Sequence, residues 1–368
     1  MKRTNSKSGY ILVTVAVVLA VLLGFTALAV DVGILYGART QSQAAADAAA
    51  LAGALTYILN PLASQPATAQ SEATQVAIAN KVMGSSIAAG EVSAIATEDL
   101  VTHNKQVTVT INRTEPTLFA KALNIASVNV GVHATAEASP NASGGTVPNN
   151  KPWFIPNTMV GPDPACTACM KGEVLISGGQ PTAFAQGKFG TQFVVKPQNP
   201  SGAISPSQFY AIQMGGPGAN NYRDAISTRT AANDVSCLNS YQVKTGNMVG
   251  PTQQGVHDLI GNPPVDSYFG IARYGPSSSA VRDTSQALVT APIVDLCSYP
   301  GFCPSNKLPS GSGVMLQVVG FALIFIEDVN ASGVIGRLIN VSSCGGAGPT
   351  IVGPTAGAGI PLRLVHLP

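Results

Sequence analysis

The spacing of apolar and polar positions divides the chain into stretches with different periods. Ser8 to Val30 contains no charged side chain, and the run from Tyr10 to Val30 within it is almost wholly apolar. A helix crossing the hydrocarbon core of a bilayer needs about 20 such residues, so the pattern predicts a transmembrane helix over residues 9–30. Ala44-Ala-Ala-Asp-Ala-Ala-Ala-Leu-Ala-Gly-Ala54 follows, with eight alanines in eleven residues. Alanine has the highest helix propensity, which predicts that the helix runs on toward Ile58. Asn60-Pro61 ends it, because the residue before a proline is pushed out of the α region. An alanine-rich helix buries little area by itself and needs a neighbour that packs close to its backbone, in this chain or another.

Further along, Ala69 to Gly84 reads as a second helix, with Val76, Ile78, Ala79 and Val82 roughly on one face and Gly84 as a stop. Gln106–Asn112 and Ser127–Glu137 alternate as half-buried strands do. Pro116–Ile125 between them fits a short helix with proline at its start. Residues 31–138 thus form a helical stalk and a small α+β module, and 139–150 is a linker by composition. From 151 to 368, strand-like runs alternate with Gly/Pro turns: Glu173–Ser177, Thr191–Lys196, Ala287–Val294 and Val314–Glu327. The last is too short and too interrupted by Gln and Gly for a second span, and reads as a central buried strand. Ile335–Val341 is expected to pair with it through an Asn330–Gly333 turn. The fold class is α+β, with a single transmembrane helix, a small α+β module and a β-rich extracytoplasmic domain.

Composition supports a loop-rich β domain in the second half. Only 10% of residues are charged, against about 25% in ordinary soluble domains, and the chain holds 38 Gly and 26 Pro. Charge sets the orientation. Lys2, Arg3 and Lys7 make residues 1–8 a basic tail, and the next positive charge is Arg39. The positive-inside rule keeps that tail in the cytoplasm and places the bulk beyond the membrane. Tyr10 and Tyr36 flank the run where aromatic rings favour headgroups. The competing reading is a cleaved signal peptide with Ala27-Leu28-Ala29 as its processing site, but the apolar run is too long for an ordinary signal and continues as helix. From Asp31 onward the chain has 17 basic and 18 acidic residues with no dense Lys/Arg patch, which argues against a nucleic-acid partner.

Asp31-Val-Gly-Ile-Leu-Tyr36, then Arg39, Gln43 and Ala46-Asp47 through Leu51, Gly53 and Ala54, directly behind the apolar run, resemble the Flp pilus-assembly TadE/TadG-like family over roughly residues 9–55. Gly320-Phe-Ala-Leu-Ile-Phe-Ile326 and Gly246-Asn-Met-Val-Gly-Pro251 resemble a TadG-like branch more loosely. The resemblance implies a single-pass protein of the cell (inner) membrane, with its C-terminal bulk extracytoplasmic, in a tight-adherence (Flp) pilus system. Its partners would be other pilus-assembly proteins, with membrane lipid around residues 9–30. Asp31, Tyr36, Arg39, Gln43, Asp47, Leu51 and Gly53 become the candidate partner contacts. Two departures matter. Asp234-Val-Ser-Cys-Leu238 and Asp283-Thr-Ser-Gln-Ala287 lack the second Ser of a von Willebrand A metal motif, so no such metal site is expected. The fifth residue after Gly9 is Thr14, where pilin-like relatives carry the Glu read by a prepilin peptidase.

The six cysteines, Cys166, Cys169, Cys237, Cys297, Cys303 and Cys344, all lie beyond the apolar run, in the β-rich domain expected over 151–368. In an exported domain an even count favours disulfides, and proximity suggests Cys297 with Cys303. Cys166-Thr-Ala-Cys169 has zinc and redox alternatives. Zinc needs a second close pair, and redox work needs a thioredoxin-like setting. Among His103, His133, His257 and His366, only His257 has an adjacent acid, Asp258, and neighbours on a strand face opposite ways. No catalytic motif appears, so no catalytic residue, cofactor or metal is expected. Asp31 reads as a solvated boundary marker. Asp47 reads as an exposed helical charge or as a polar contact fixing register against a partner helix. Asn141-Ala-Ser, Asn330-Ala-Ser and Asn340-Val-Ser match the glycosylation pattern, by chance in the bacterial chain that the resemblance implies. The leading function is structural, in pilus assembly or anchoring. The alternatives are a membrane-anchored surface or cell-wall binding module and a tethered hydrolase.

Overall fold

The computed structural model describes residues 7–59, 65–98, 104–139, 146–147, 150–157, 174–199, 208–228, 233–268, 285–296, 299, 302, 308–311, 313–345 and 362–365. One helix, α1 (Lys7–Leu59), runs unbroken through the apolar run and the alanine stretch and stops just before Asn60-Pro61. Its two halves live in different surroundings. Large apolar side chains from Ile11 to Val30 are exposed, whereas Ala38, Ala45, Ala46, Ala49, Ala50 and Ala54 are buried.

The close-packed neighbours of the alanine face come from this chain. Helix α2 (Gln65–Ala79) presents Ala69, Ala73 and Ala77, all fully buried, to the same core cluster. Beneath lie three antiparallel strands, β1 (Val92–Glu98), β2 (Lys105–Pro116) and β3 (Ser127–Ala138), each joined to the next. On β2 every second side chain from Val107 to Glu115 is buried, as period-2 alternation requires. Two of those positions are charged. Arg113 Nε donates to Glu115 at 2.9 Å, and its Nη1 donates to Glu91 at 3.1 Å and to the Ser86 carbonyl at 3.2 Å. Burying the guanidinium is tolerated because it is paired and hydrogen-bonded.

Three expectations for this module change. The second helix ends at Ala79 rather than Gly84, and the Asn80 amide folds back to the Val76 carbonyl at 2.7 Å. Lys81–Val82 and Ser85–Ser86 then pair as a small hairpin, with Met83 and Gly84 at φ 50° and 83° in its turn. The helix expected over Pro116–Ile125 is a four-residue 3-10 turn, Ala120–Leu123, because Pro116 closes β2 opposite Ser127. Strand β1 was not expected, since its small side chains (Ser93, Ala94, Ala96, Thr97) mute the alternation. Within the linker, Thr146–Val147 pairs with Val235–Ser236.

The β-rich part contains β4 (Ile155–Pro156), β5 (Gln192–Pro197), β6 (Gln208–Ile212), β7 (Ser240–Thr245), β8 (Leu288–Val294), β9 (Met315–Asn330) and β10 (Gly333–Ser343). Its sheet runs β5-β10-β9-β7-β6, with β8 also on β9 and β4 parallel to β8. Strand β9 is the expected central strand. Its Gly320–Ile326 run is fully buried, and it turns into β10 at Asn330 opposite Gly333, whose φ of 139° suits glycine alone. Three helices among the described residues escaped the sequence reading, the short Ala183–Lys188 and the longer α3 (Ala219–Ser227) and α4 (Val249–Ile260). Buried Lys151 donates to the Ile226 and Thr228 carbonyls at 2.6 and 3.0 Å, where a cation suits a helix C-terminus. Trp153 Nε1 donates to the Tyr222 hydroxyl at 2.9 Å, and burial pushes that hydroxyl's pKa up.

The last described strand, β11 (Leu362–Val365), leaves the β-rich part and pairs antiparallel with β3, opposite Thr135–Ala138. The first sheet is therefore β11-β3-β2-β1. Residues 362–365, grouped with the β-rich half by sequence position, complete the module beside α1. The two halves share one core cluster, from Ala38 on α1 to Ile339 on β10. Asn340 Nδ2 joins them directly, donating to the Tyr57 and Ile58 carbonyls at 3.1 and 3.0 Å, groups a helix end otherwise leaves orphaned.

Candidate membrane and assembly interface

The first half of α1 is the apolar rod that the hydropathy pattern predicts. It is the one helix among the described residues long and apolar enough to cross a membrane, and its most apolar stretch is not buried. Its exposed side chains include Leu12, Leu23 and Phe25 at 74%, 63% and 66%. Among the described residues nothing covers them, so the rod suits a lipid surrounding.

Where the rod meets the module, Asp31 behaves differently from its sequence reading. It is 2% exposed and so is no solvated marker. Its carboxylate accepts the amides of Leu118 (2.9 Å), Phe119 (3.2 and 3.1 Å) and Ala120 (2.6 Å). These amides open the 3-10 turn at the β2–β3 tip. A carboxylate receiving several backbone amides has its lost hydration replaced, and it fixes the tip to α1. The signal was partly present in sequence, since a lone acid at the end of an apolar run needs a partner. Which residues 87 to 89 positions away supply it was not readable.

Beyond Asp31 the candidates separate into two groups. Tyr36, 73% exposed, and Arg39 face outward. Gln43, Asp47, Leu51 and Gly53 are engaged within the chain. Gln43 Nε2 donates to Asp47 Oδ1 at 2.8 Å and to the His133 carbonyl at 3.0 Å, so the polar pair sets α1 against β3. Leu51 packs on the core. Gly53 is buried where a Cβ would lie 2.8 Å from Val107 Cγ1 and 3.0 Å from both the Ala69 carbonyl and Ala73 Cβ. The alanine-glycine surface is thus spent on α2 and the sheet, leaving the Tyr36–Arg39 strip open.

Sequence reasoning missed the tip itself. Leu118, Phe119, Leu123 and Ile125 are 63%, 50%, 77% and 49% exposed in a strand connection that would ordinarily be polar. The apolar residues after Pro116 were legible but were read only as part of a short helix.

Cys237 and Cys344 form a disulfide across 107 residues. Cys166, Cys169, Cys297 and Cys303 lie outside the described residues, and with them the suggested Cys297–Cys303 pair and the zinc and redox alternatives for Cys166–Cys169. His257 and Asp258 sit on helix α4 rather than a strand. His133 is exposed on β3, and His103 and His366 lie outside the described residues. Among the described residues no group of three or more His, Cys, Asp or Glu side chains converges as metal ligands would.

An exposed apolar rod continuing into a packed α+β module defines a class, the membrane-anchored protein with a folded body. The family then enters through the rod: residues 9–56 match the Tad family model, described as Flp pilus-assembly TadE/G-like. The match covers the rod and all of the alanine stretch, and it supports a pilus-associated role and membrane anchoring. No curated protein and no solved structure matches the chain.

Proposed function

We propose that this chain is a single-pass inner-membrane component of a tight-adherence (Flp) pilus system, with residues 1–8 cytoplasmic and the folded body outside the cytoplasm. It acts as a non-catalytic assembly or anchoring subunit through contacts with other pilus-assembly proteins. One observation carries the reading. The Tad match ends within α1, and α1 is at once the apolar rod and the central packing element of the module. Force or position transmitted along that helix reaches the body without a flexible joint. The disulfide supports an oxidising compartment, since cytosolic thiols are kept reduced. The outward Tyr36–Arg39 strip, just beyond the membrane, is the surface offered to a partner.

The test is genetic and biochemical. Deleting the gene should abolish surface fibres and adherence, and cross-linking envelopes through a photoreactive residue at Tyr36 should recover pilus-machinery subunits. Normal fibres and adherence in the deletion strain would show the reading to be wrong.

A further inference from the structure

Three contacts fix how far each part of the module stands along α1. Gly53 lies against Val107, Gln43 reaches the carbonyl of His133, whose partner on β2 is Thr110, and Asp31 holds the amides of residues 118–120. From Gly53 back to Asp31 the helix spans ~33 Å at its usual rise. From Val107 to Leu118 an extended strand spans ~37 Å. Strand β2 therefore runs beside α1 in the opposite direction, and its tip returns to the level where the apolar rod ends. Residues 9–30 are ~33 Å long as a helix, against about 30 Å of hydrocarbon core, so that level is the boundary between acyl chains and headgroups.

The tip is built for such a place. Leu118, Phe119, Leu123 and Ile125 are exposed, with Lys121 among them. Ala27, a turn nearer the membrane centre than Asp31, is the first partly covered residue from Ile11 onward, and the 3-10 turn packs on the helix. The exposed apolar surface thus passes from the rod to the tip. We propose that the 117–126 tip inserts Leu118, Phe119, Leu123 and Ile125 into the headgroup–acyl boundary of the bilayer that α1 crosses, a proposal that rests on the anchor reading above. Apolar side chains beside a lysine suit this zone, because the chains enter about 5–10 Å while the ammonium stays with anionic headgroups. The occupant is lipid rather than a second protein because the patch adjoins the rod's lipid-facing surface at the matching height. With two attachment points, α1 and the tip, the body cannot swivel freely about the helix axis.

The experiment reconstitutes the full chain in phosphatidylcholine–phosphatidylglycerol vesicles and reads tryptophan quenching by brominated lipids. Native Trp153 is buried and forms the background. Leu123→Trp should be quenched about twofold, and more by bromine near the top of the acyl chain than near its end, as an interfacial group is. Val265→Trp, at an 85% exposed site in the body, should stay unquenched. Leu19→Trp, in the middle of the rod, should be quenched most by the deep bromine and reports on the anchor separately. Quenching of Leu19→Trp without quenching of Leu123→Trp overturns the tip proposal and leaves the anchor standing. No quenching at either position overturns both. A blue shift of Leu123→Trp that grows with protein density but not with lipid bromination assigns the tip to a second copy and also overturns the proposal.

Discussion

Asp31 and Ala120, 89 residues apart in sequence, meet at 2.6 Å through a carboxylate-to-amide hydrogen bond at the exit of the apolar rod. The same carboxylate holds Leu118 and Phe119, so one side chain decides where the β2–β3 tip sits. Replacing Asp31 with Ala leaves three amides without their acceptor. Hydrogen exchange in nanodiscs should show the 118–120 amides losing protection on the order of tenfold, while strand amides at Val107–Ile111 keep theirs. Equal protection in the variant would mean that the tip is held by its own turn.

Glycine at two places on α1 should respond to alanine with opposite signs. At Gly53 the new methyl meets Val107, Ala73 and the backbone of Ala69 at 2.8–3.0 Å, and backbone cannot yield cheaply. Overpacking of this kind costs roughly 1–3 kcal/mol. At Gly33 nothing lies within 4 Å, so alanine gains helix propensity, up to ~1 kcal/mol. Thermal unfolding of Gly53→Ala and Gly33→Ala in detergent should move the midpoint down and up respectively.

Lys196 gives the fold a pH dependence above neutrality. Its side chain is fully buried, with Nζ donating to the carbonyl of Asn247 at 2.7 Å and of Pro197 at 3.3 Å, and burial lowers its pKa from 10.5 to about 8. Below about 8 the lysine is charged in both states, and the fold carries the whole cost of burying that charge. Between about 8 and 10.5 the unfolded chain holds the proton more often than the folded one, so stability rises with pH, by roughly 3 kcal/mol at most. Lysine ε-carbon shifts followed by NMR should show one residue titrating near 8, and Lys196→Met should remove it.

The Cys237–Cys344 bond closes 107 residues, including β7, α4, β8 and β9, against the end of β10. A loop of that length loses enough unfolded-state entropy for the bond to contribute up to about 5 kcal/mol. The double variant Cys237→Ala/Cys344→Ala should lower the denaturant midpoint accordingly with the folded circular dichroism unchanged. An unmoved midpoint would show the bond to be idle.

Several elements could be read because their signals are local. The charge-free run, the alanine stretch and Asn60-Pro61 set α1 and its end, since propensity and the proline restriction act within a few residues. Gln106–Asn112, Ser127–Glu137 and the β9–β10 hairpin announced themselves by alternation and by the Asn330–Gly333 turn. Val92–Glu98 did not, because Ser, Ala and Thr carry too little hydrophobic contrast, and the strand exists because β2 offers an edge to pair with. Helices α3 and α4 lay hidden among Gly, Pro and Asn residues that read as turns.

The sequence by itself determined a long apolar-then-alanine helix, strands where the alternation is strong, and a Tad-like segment, all properties of neighbouring residues. Tertiary structure alone decided that Asp31 is buried and holds the β2–β3 tip, that Asn340 caps the far end of α1, and that Leu362–Val365 completes the first sheet. Each joins groups from 87 to 283 positions apart. Such contacts form because an unpaired buried carboxylate, helix-end carbonyl or sheet edge is costly, but that cost names no partner until the chain has folded.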